Sequence, residues 1–341
     1  MSESLTAPPP RVVDAATGAP QTVRVVQREV LAERVVGLWL QPADGSAVPL
    51  IAAGAHIELA TSAGPRAYSL CNAPGETAGY RIAVLLEPAG RGGSAAVHAL
   101  RAGDSIAVSP PRQHFPLMEQ ATDSVLIAGG IGITALLPMA ERLDTLGRAR
   151  VLHYSASCRG GAALLSRACS AETVASGRAV LHFTREAGGQ RLNVAEALGA
   201  PAPGRHAYVC GPFALIDAVR RAADAAGWPA DQVHWEHFSA PAPAPSDTAA
   251  GGDRSFEVVL HRQGRSVPVR ADQSVVDALA AQGIDLPVSC AQGVCGTCLT
   301  PVLSGRIDHR DLFLTPAEQA ADNCFLPCCS RALGDRLVLD L

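Results

Sequence analysis

Three cysteines, Cys290, Cys295 and Cys298, stand at C-x4-C-x2-C spacing, and a fourth, Cys328, follows after a gap of 29 residues. Thiolates are soft ligands that suit iron–sulfur clusters and zinc. The spacing of the first three is one that holds a [2Fe–2S] cluster. Such a cluster needs four thiolates, two per iron; a tight loop can wrap three of them while a distant segment supplies the last. Gly293 and Gly296 let that loop bend so that its N–H groups reach the sulfurs and offset the cluster's negative charge. A four-cysteine zinc site is the alternative. It commonly uses two close C-x2-C pairs, and here only Cys295/Cys298 is one. Cys324 and Cys329 compete with Cys328 for the fourth place.

Two further groups of residues suit phosphate and redox chemistry. Arg66-Ala67-Tyr68-Ser69 can offer a guanidinium to a phosphate, a ring to a flavin's face and a hydroxyl to its N5 edge. Gly90-Arg91-Gly92-Gly93-Ser94 precedes a helical stretch, so its N–H groups can hold a phosphate. Either piece alone is more often plain sheet or a turn. Gly129-Gly130-Ile131-Gly132-Ile133-Thr134 follows an apolar run, and glycines there permit close approach of backbone to a pyrophosphate. Cys210-Gly211-Pro212 again lies between a strand and a helix; taken alone, Cys210 reads as a buried apolar thiol.

These residues must be held by three kinds of element. Residues 1–20 are rich in Pro and Ala and read as a mobile tail. From 21 to 118, short β-type runs separated by Gly and Pro suggest a small antiparallel barrel. From 119 to 238 the rhythm becomes strand–helix alternation, with helices expected over Ile133–Leu146 and Phe213–Ala226, which indicates a doubly wound parallel sheet. Residues 239–253 contain Pro241, Pro243 and Pro245 and read as a semi-extended linker. Residues 254–341 hold a hairpin around Gln263-Gly264, a helix from Ser274 to Ala281 and the cysteine cluster.

Composition bounds the function. The 341 residues are 48% hydrophobic with a net charge of −4, which makes no case for nucleic acid or an anionic membrane as partner. The apolar stretch from Ser124 to Ala140 is broken by Gly129, Gly130, Gly132, Thr134 and Pro138, so it reads as strand and helix rather than a membrane span. The N-terminus has no basic and apolar leader pattern, and the expected compartment is reducing and cytoplasmic. Ten cysteines in such a chain argue for metal rather than disulfides.

In their order, these motifs resemble the phthalate dioxygenase reductase and vanillate demethylase reductase group, within the ferredoxin–NADP⁺ reductase superfamily. PRQHFPL (Pro111 to Leu117), GRGGS and GGIGIT match the group's motifs, and the resemblance covers about residues 23–341. It implies a flavin barrel, a nucleotide domain and a C-terminal β-grasp domain of the plant-type ferredoxin kind. It also implies FMN, NADH as donor and a Rieske-type oxygenase as electron acceptor. Cys328-Cys329-Ser330-Arg331 matches the family's Cys-x-Ser-Arg, which makes Cys328 the fourth ligand. Cys329 is then a bystander, since neighbours in an extended segment face opposite ways. The flavin site implied comprises Arg66, Ala67, Tyr68, Ser69, Val84, Gly90, Gly92, Gly93 and Ser94, with Phe238 covering the flavin. The nucleotide site comprises Gly129, Gly130, Gly132, Thr134, Cys210, Gly211 and Pro212. Ser69, Thr134 and Cys210 are the candidates at the reacting atoms. Ala135 departs from the group, which usually has Pro there; Pro is favourable in a first helical turn but not required.

A nicotinamide releases two electrons as a hydride and a [2Fe–2S] cluster accepts one, so a flavin between them resolves the mismatch. The donor's identity is contested within the sequence. No Asp or Glu follows VLHYSAS to bind a ribose 2′-hydroxyl, and Arg159 could attract a 2′-phosphate, whereas the resemblance points to NADH. Two other functions stay open: a reductase for a non-Rieske acceptor such as a haem monooxygenase, and a redox sensor or carrier that does not turn over. His114 reads as a packing or phosphate-side residue, Cys71, Cys158, Cys169 and Cys324 as ordinary thiols, and His98 and His309 are unassigned.

Overall fold

A computed structural model describes residues 19–239, except 187 and 190, and residues 253–341. The expected tail and linker therefore lie outside the described residues, apart from Ala19, Pro20, Ser239 and Asp253. Two compact units divide between Phe238 and Ser239.

The first unit begins with strands β1 (Gln21–Ala32), β2 (Val35–Pro42), β3 (Ala55–Thr61), β4 (Gly64–Ser69), β5 (Tyr80–Leu85), β6 (Ser105–Val108) and β7 (Arg112–Gln113). They form one antiparallel sheet in the order β4-β3-β6-β1-β2-β5, with β7 on β3. A bridge between Leu70 and Ile82 brings the two outer strands together and closes the sheet. Alternation explains the core: Val23 and Val25, Leu38 and Leu40, and Ile57 and Leu59 turn inward and exclude water. The helix Gly93–Ala99 follows a left-handed Gly92, as the glycine run allows.

Five parallel strands follow: β8 (Asp123–Gly129), β9 (Ala149–Ala156), β10 (Ala179–Phe183), β11 (Arg205–Cys210) and β12 (Val233–Glu236). Their order is β10-β9-β8-β11-β12. β8 is apolar on both faces because both are covered: Leu126 and Ala128 pack on one core, Val125 and Ile127 on another. The long helices run over Ile133–Thr145 and Phe213–Ala225, each one residue shorter than the pattern suggests.

The second unit contains β13 (Phe256–Leu260), β14 (Arg265–Val269), β15 (Thr300–Ser304), β16 (Ile307–Asp308), β17 (Cys324–Phe325), β18 (Arg331–Ala332) and β19 (Arg336–Leu339). The main sheet is ordered β14-β13-β19-β15-β17, with β13 and β19 parallel, and β16 pairs with β18. The hairpin turns at a left-handed Gly264, and Ser274 caps the helix Val275–Ala280 by accepting the Asp277 N–H at 3.1 Å. Between that helix and β15 the chain makes the irregular loop that carries three of the cysteines.

Candidate functional site

The flavin-type motifs meet. Arg66, on β4, lies so close to Gly93 that a Cβ there would stand 2.5 Å from its Cγ, and its guanidinium donates to the Arg91 carbonyl at 3.5 Å. An arginine is thus set over a glycine turn, as an anion cradle requires. Ser94 accepts the Glu87 N–H at 3.0 Å and holds the approach to that turn; Gly90 and Ala67 lie alongside in the same two segments. Tyr68 is half-buried, and burial pushes its phenol up to about 12. Ser69 is 7% exposed. Val84 stands apart: its side chain packs in the barrel core and its carbonyl is 2.9 Å from His98 Nε2.

The nucleotide-type motifs also meet, and more tightly. β8 and β11 are adjacent and parallel, and strand order reverses between them, the place where doubly wound sheets bind ligands. A Cβ on Gly132 would lie 2.1 Å from the Cys210 carbonyl oxygen, and one on Gly211 would lie 2.9 Å from the Gly129 Cα. Pro212 closes on Gly129 in the same way, at 2.8 Å. Gly130 is left-handed with open space beside it. The Thr134 hydroxyl donates to the Ile131 carbonyl at 2.9 Å, so its own proton is committed to shaping the turn. Cys210 is fully buried, and burial raises its thiol well above its usual range, so it is a neutral packing group at the strand end. Phe238, 40% exposed, follows β12.

The cysteines form two sulfur pairs. Cys295 is raised by its hydrogen bond with Cys290 and then by burial; Cys298 is raised by Cys328 and then by burial. Two pairs are what two irons need. The loop already turns donors toward sulfur: the N–H groups of Gln292 and Val294 reach Cys290 Sγ at 3.3 and 3.5 Å, while the Cys295 thiol donates to Thr297 Oγ1 at 3.3 Å. Gly293 and Gly296 are left-handed, and a Cβ on Gly296 would meet the Phe313 ring at 2.3 Å. These residues fit a [2Fe–2S] cluster. None of the ten cysteines is in a disulfide.

One expectation is corrected. The fourth-ligand segment is a turn, with Cys329 and Ser330 N–H both bonded to the Leu326 carbonyl at 3.1 and 2.9 Å, so strand alternation does not separate Cys328 from Cys329. Cys329 sits beside the site instead: Cys328 lowers its thiol, and its sulfur would be 2.4 Å from a Cβ on Gly293. Arg331 has a plain structural duty, donating to the carbonyls of Gln273, Arg270 and Arg254.

Three residues escaped the sequence reading. His56 lies across from Ser69, is 5% exposed, and has no hydrogen-bond partner at either ring nitrogen among the described residues; burial, then His114 and Arg112, push it down to about 3. Glu186 accepts the Arg159 N–H at 2.6 Å at the end of β9. Asp311 is buried between the cysteine segments. A histidine in an alternating strand and acids in loops carry no local signal of these contacts.

Residues 258–333 match the family model of the 2Fe-2S iron-sulfur cluster binding domain. Over the whole chain, the vanillate O-demethylase oxidoreductase of Pseudomonas sp. strain HR199 is 44% identical across 317 residues, covering 92% of this chain and 97% of that protein. The chain belongs to the vanillate O-demethylase oxidoreductase family. Phthalate dioxygenase reductase, described as a modular structure for electron transfer from pyridine nucleotides to [2Fe-2S], has 34% identity and a TM-score of 0.69, covering 94% of this chain and 98% of that one. An intact type IV self-sufficient cytochrome P450 monooxygenase has 37% identity and a TM-score of 0.82 over 94% of this chain, which spans only 41% of that longer protein. As a member of this family, the chain is an oxidoreductase, the reductase component of an oxygenase or demethylase system. Among the described residues, no helix is long and apolar enough to cross a membrane.

Proposed function

We propose that the chain passes electrons from NADH through FMN to a plant-type [2Fe–2S] cluster and on to a Rieske-type oxygenase or demethylase. The observation that carries this is the end-to-end likeness to vanillate O-demethylase oxidoreductase, supported by the close approach of Arg66 to Gly93 and of Gly132 to Cys210. Bound flavin accepts the two electrons of a hydride and yields them singly, joining nicotinamide to a one-electron acceptor. Arg66 and the Gly90–Ser94 turn would hold the flavin phosphate, and Tyr68 and Ser69 would supply a ring and a hydroxyl to its ring system. The Gly129–Thr134 turn and Cys210-Gly211-Pro212 hold the dinucleotide by close backbone approach, with Thr134 and Cys210 shaping the nicotinamide end and Phe238 covering the flavin. Cys290, Cys295, Cys298 and Cys328 hold the cluster.

Glu186 supports NADH as the donor. The acid missing after β9 is supplied from beyond β10: its carboxylate stands on the Arg159 N–H, while the Arg159 side chain lies 5.0 Å over the Phe183 ring. A carboxylate there accepts a ribose hydroxyl and repels a 2′-phosphate. The likeness to a cytochrome P450 fusion favours a second reading, in which the acceptor is a haem monooxygenase. Acid-released cofactor running as FMN, with rapid NADH-dependent reduction of cytochrome c, tests the first part. Offering the reduced protein in parallel to a Rieske oxygenase and a P450 tests the second. FAD as the main species, or faster delivery to the P450, contradicts the reading given first.

A further inference from the structure

The cysteine loop and the fourth-ligand turn are distant in sequence, yet they must hold four sulfurs in one fixed arrangement. A single buried acid lies between them. The Asp311 side chain is 0% exposed. Its Oδ2 accepts the Leu314 N–H at 2.8 Å, and its Oδ1 takes the Ser330 hydroxyl at 3.4 Å and lies 3.3 Å from His309 Nδ1. Ser330 in turn accepts the Arg310 N–H at 3.1 Å, so the fourth-ligand turn is bound to this loop at both ends of the hydroxyl. The same loop grips the cysteine loop. The Leu312 N–H donates to the Gly293 carbonyl at 3.0 Å, and a Cβ on Gly293 would stand 3.0 Å from the Asp311 Cα. The Gln319 amide closes the loop on the Asp311 carbonyl at 3.3 Å.

We infer that Asp311, through Ser330 and the Leu312–Leu314 backbone, is a positioning residue for the iron–sulfur cluster and holds its reduction potential down. The inference rests on the cluster ligands proposed above. Two physical effects act together. The carboxylate accepts from the fourth-ligand turn through Ser330 and orders its own loop through the Leu314 N–H, while that loop's Leu312 N–H holds the cysteine loop at Gly293; together these bonds fix the ligand directions, the role that outer partners play at metal sites. A buried negative charge also opposes the electron that the cluster gains on reduction, and water screens it little there. The acid therefore makes the cluster a stronger electron donor toward its acceptor. Neither effect requires a contact between Asp311 and a cysteine.

The test uses the full-length chain with its cluster, titrated electrochemically while the visible absorbance is followed, together with iron release to a chelator. Asp311→Asn keeps the shape and removes the charge. Its one-electron equilibrium should move toward the reduced cluster about tenfold, or about 59 mV. Ser330→Ala removes a hydroxyl donor and leaves the carboxylate less neutralised, so its potential should move the other way and its iron should be released several-fold faster. Asp272→Asn makes the same charge change on a side chain that is 75% exposed, and should match the wild type in both readouts. A merely destabilised fold would speed iron release in both core variants without opposite shifts in potential. Equal or same-signed shifts in the two, or no shift in either, overturn the inference; loss of the cluster from Asp311→Asn alone supports the positioning role, and Ser330→Ala then decides the potential. A wild-type chain without [2Fe–2S] absorbance would instead overturn the underlying cluster assignment.

Discussion

Gly132→Ala tests whether the glycine turn and the Cys210 turn form one nucleotide crevice. Gly132 has φ of −59°, an ordinary helical angle, so alanine carries no conformational penalty there. The obstacle is space. The new methyl would lie 2.1 Å from the Cys210 carbonyl oxygen, about 0.9 Å inside the 3.0 Å that real Cβ atoms respect, and the obstructing atoms are backbone. The ends of β8 and β11 must therefore part by close to an ångström. Overpacking of this kind costs about 1–3 kcal/mol in stability. A displacement of about 1 Å in a reacting pair costs on the order of 100-fold in rate. Stopped-flow mixing with NADH should show flavin reduction slowed by that order while the [2Fe–2S] absorbance stays intact, since Cys290, Cys295, Cys298 and Cys328 lie in the other unit. Gly130→Ala has only backbone strain to meet, at φ 53° with nothing within 4 Å, and should have a milder effect. Wild-type flavin reduction in Gly132→Ala would refute the crevice.

Serine at Cys290, Cys295, Cys298 or Cys328 should abolish the cluster absorbance, while serine at Cys324 or Cys329 should retain it; loss in Cys329→Ser with retention in Cys328→Ser would reassign the fourth ligand. Arg66→Ala should weaken flavin retention by about 1.5–3 kcal/mol, the worth of a charged hydrogen bond, measured by ultrafiltration of the bound FMN. Glu186→Gln should raise kcat/KM for NADPH relative to NADH, and an unchanged ratio would remove Glu186 from the specificity argument. Burial holds His56 down to about 3 and His237 to about 4, against about 6.5 unfolded. The unfolded chain therefore binds protons that the folded one excludes: this stability is present above pH 6.5 and lost as pH falls toward 4, by up to about 1.4 kcal/mol per unit and per histidine. Urea unfolding at pH 7.5 and 5.5 should show the loss in the first unit, and should show less of it in His56→Gln.

Much of this protein is legible in local spacing. The C-x4-C-x2-C run marks a sulfur-rich metal site because a short loop can only present its sulfurs together, and β8 declares itself by an apolar run ending in glycines. The change from short alternating runs to strand–helix rhythm marks barrel and parallel sheet, since both periods follow from backbone geometry alone. What the tertiary structure decided are contacts between residues far apart in the chain. Arg66 finds Gly93, Gly132 finds Cys210, and the Glu186 carboxylate meets the Arg159 N–H beyond β9. The alternation argument failed at Cys328 and Cys329 because proximity to Leu326 made that segment a turn. Asp311 shows the same limit: in sequence it is one acid in a polar loop, and only packing buries it and sets two cysteine segments around it. Periodicity and spacing act within one element, whereas burial and long-range hydrogen bonding exist only once the elements have met.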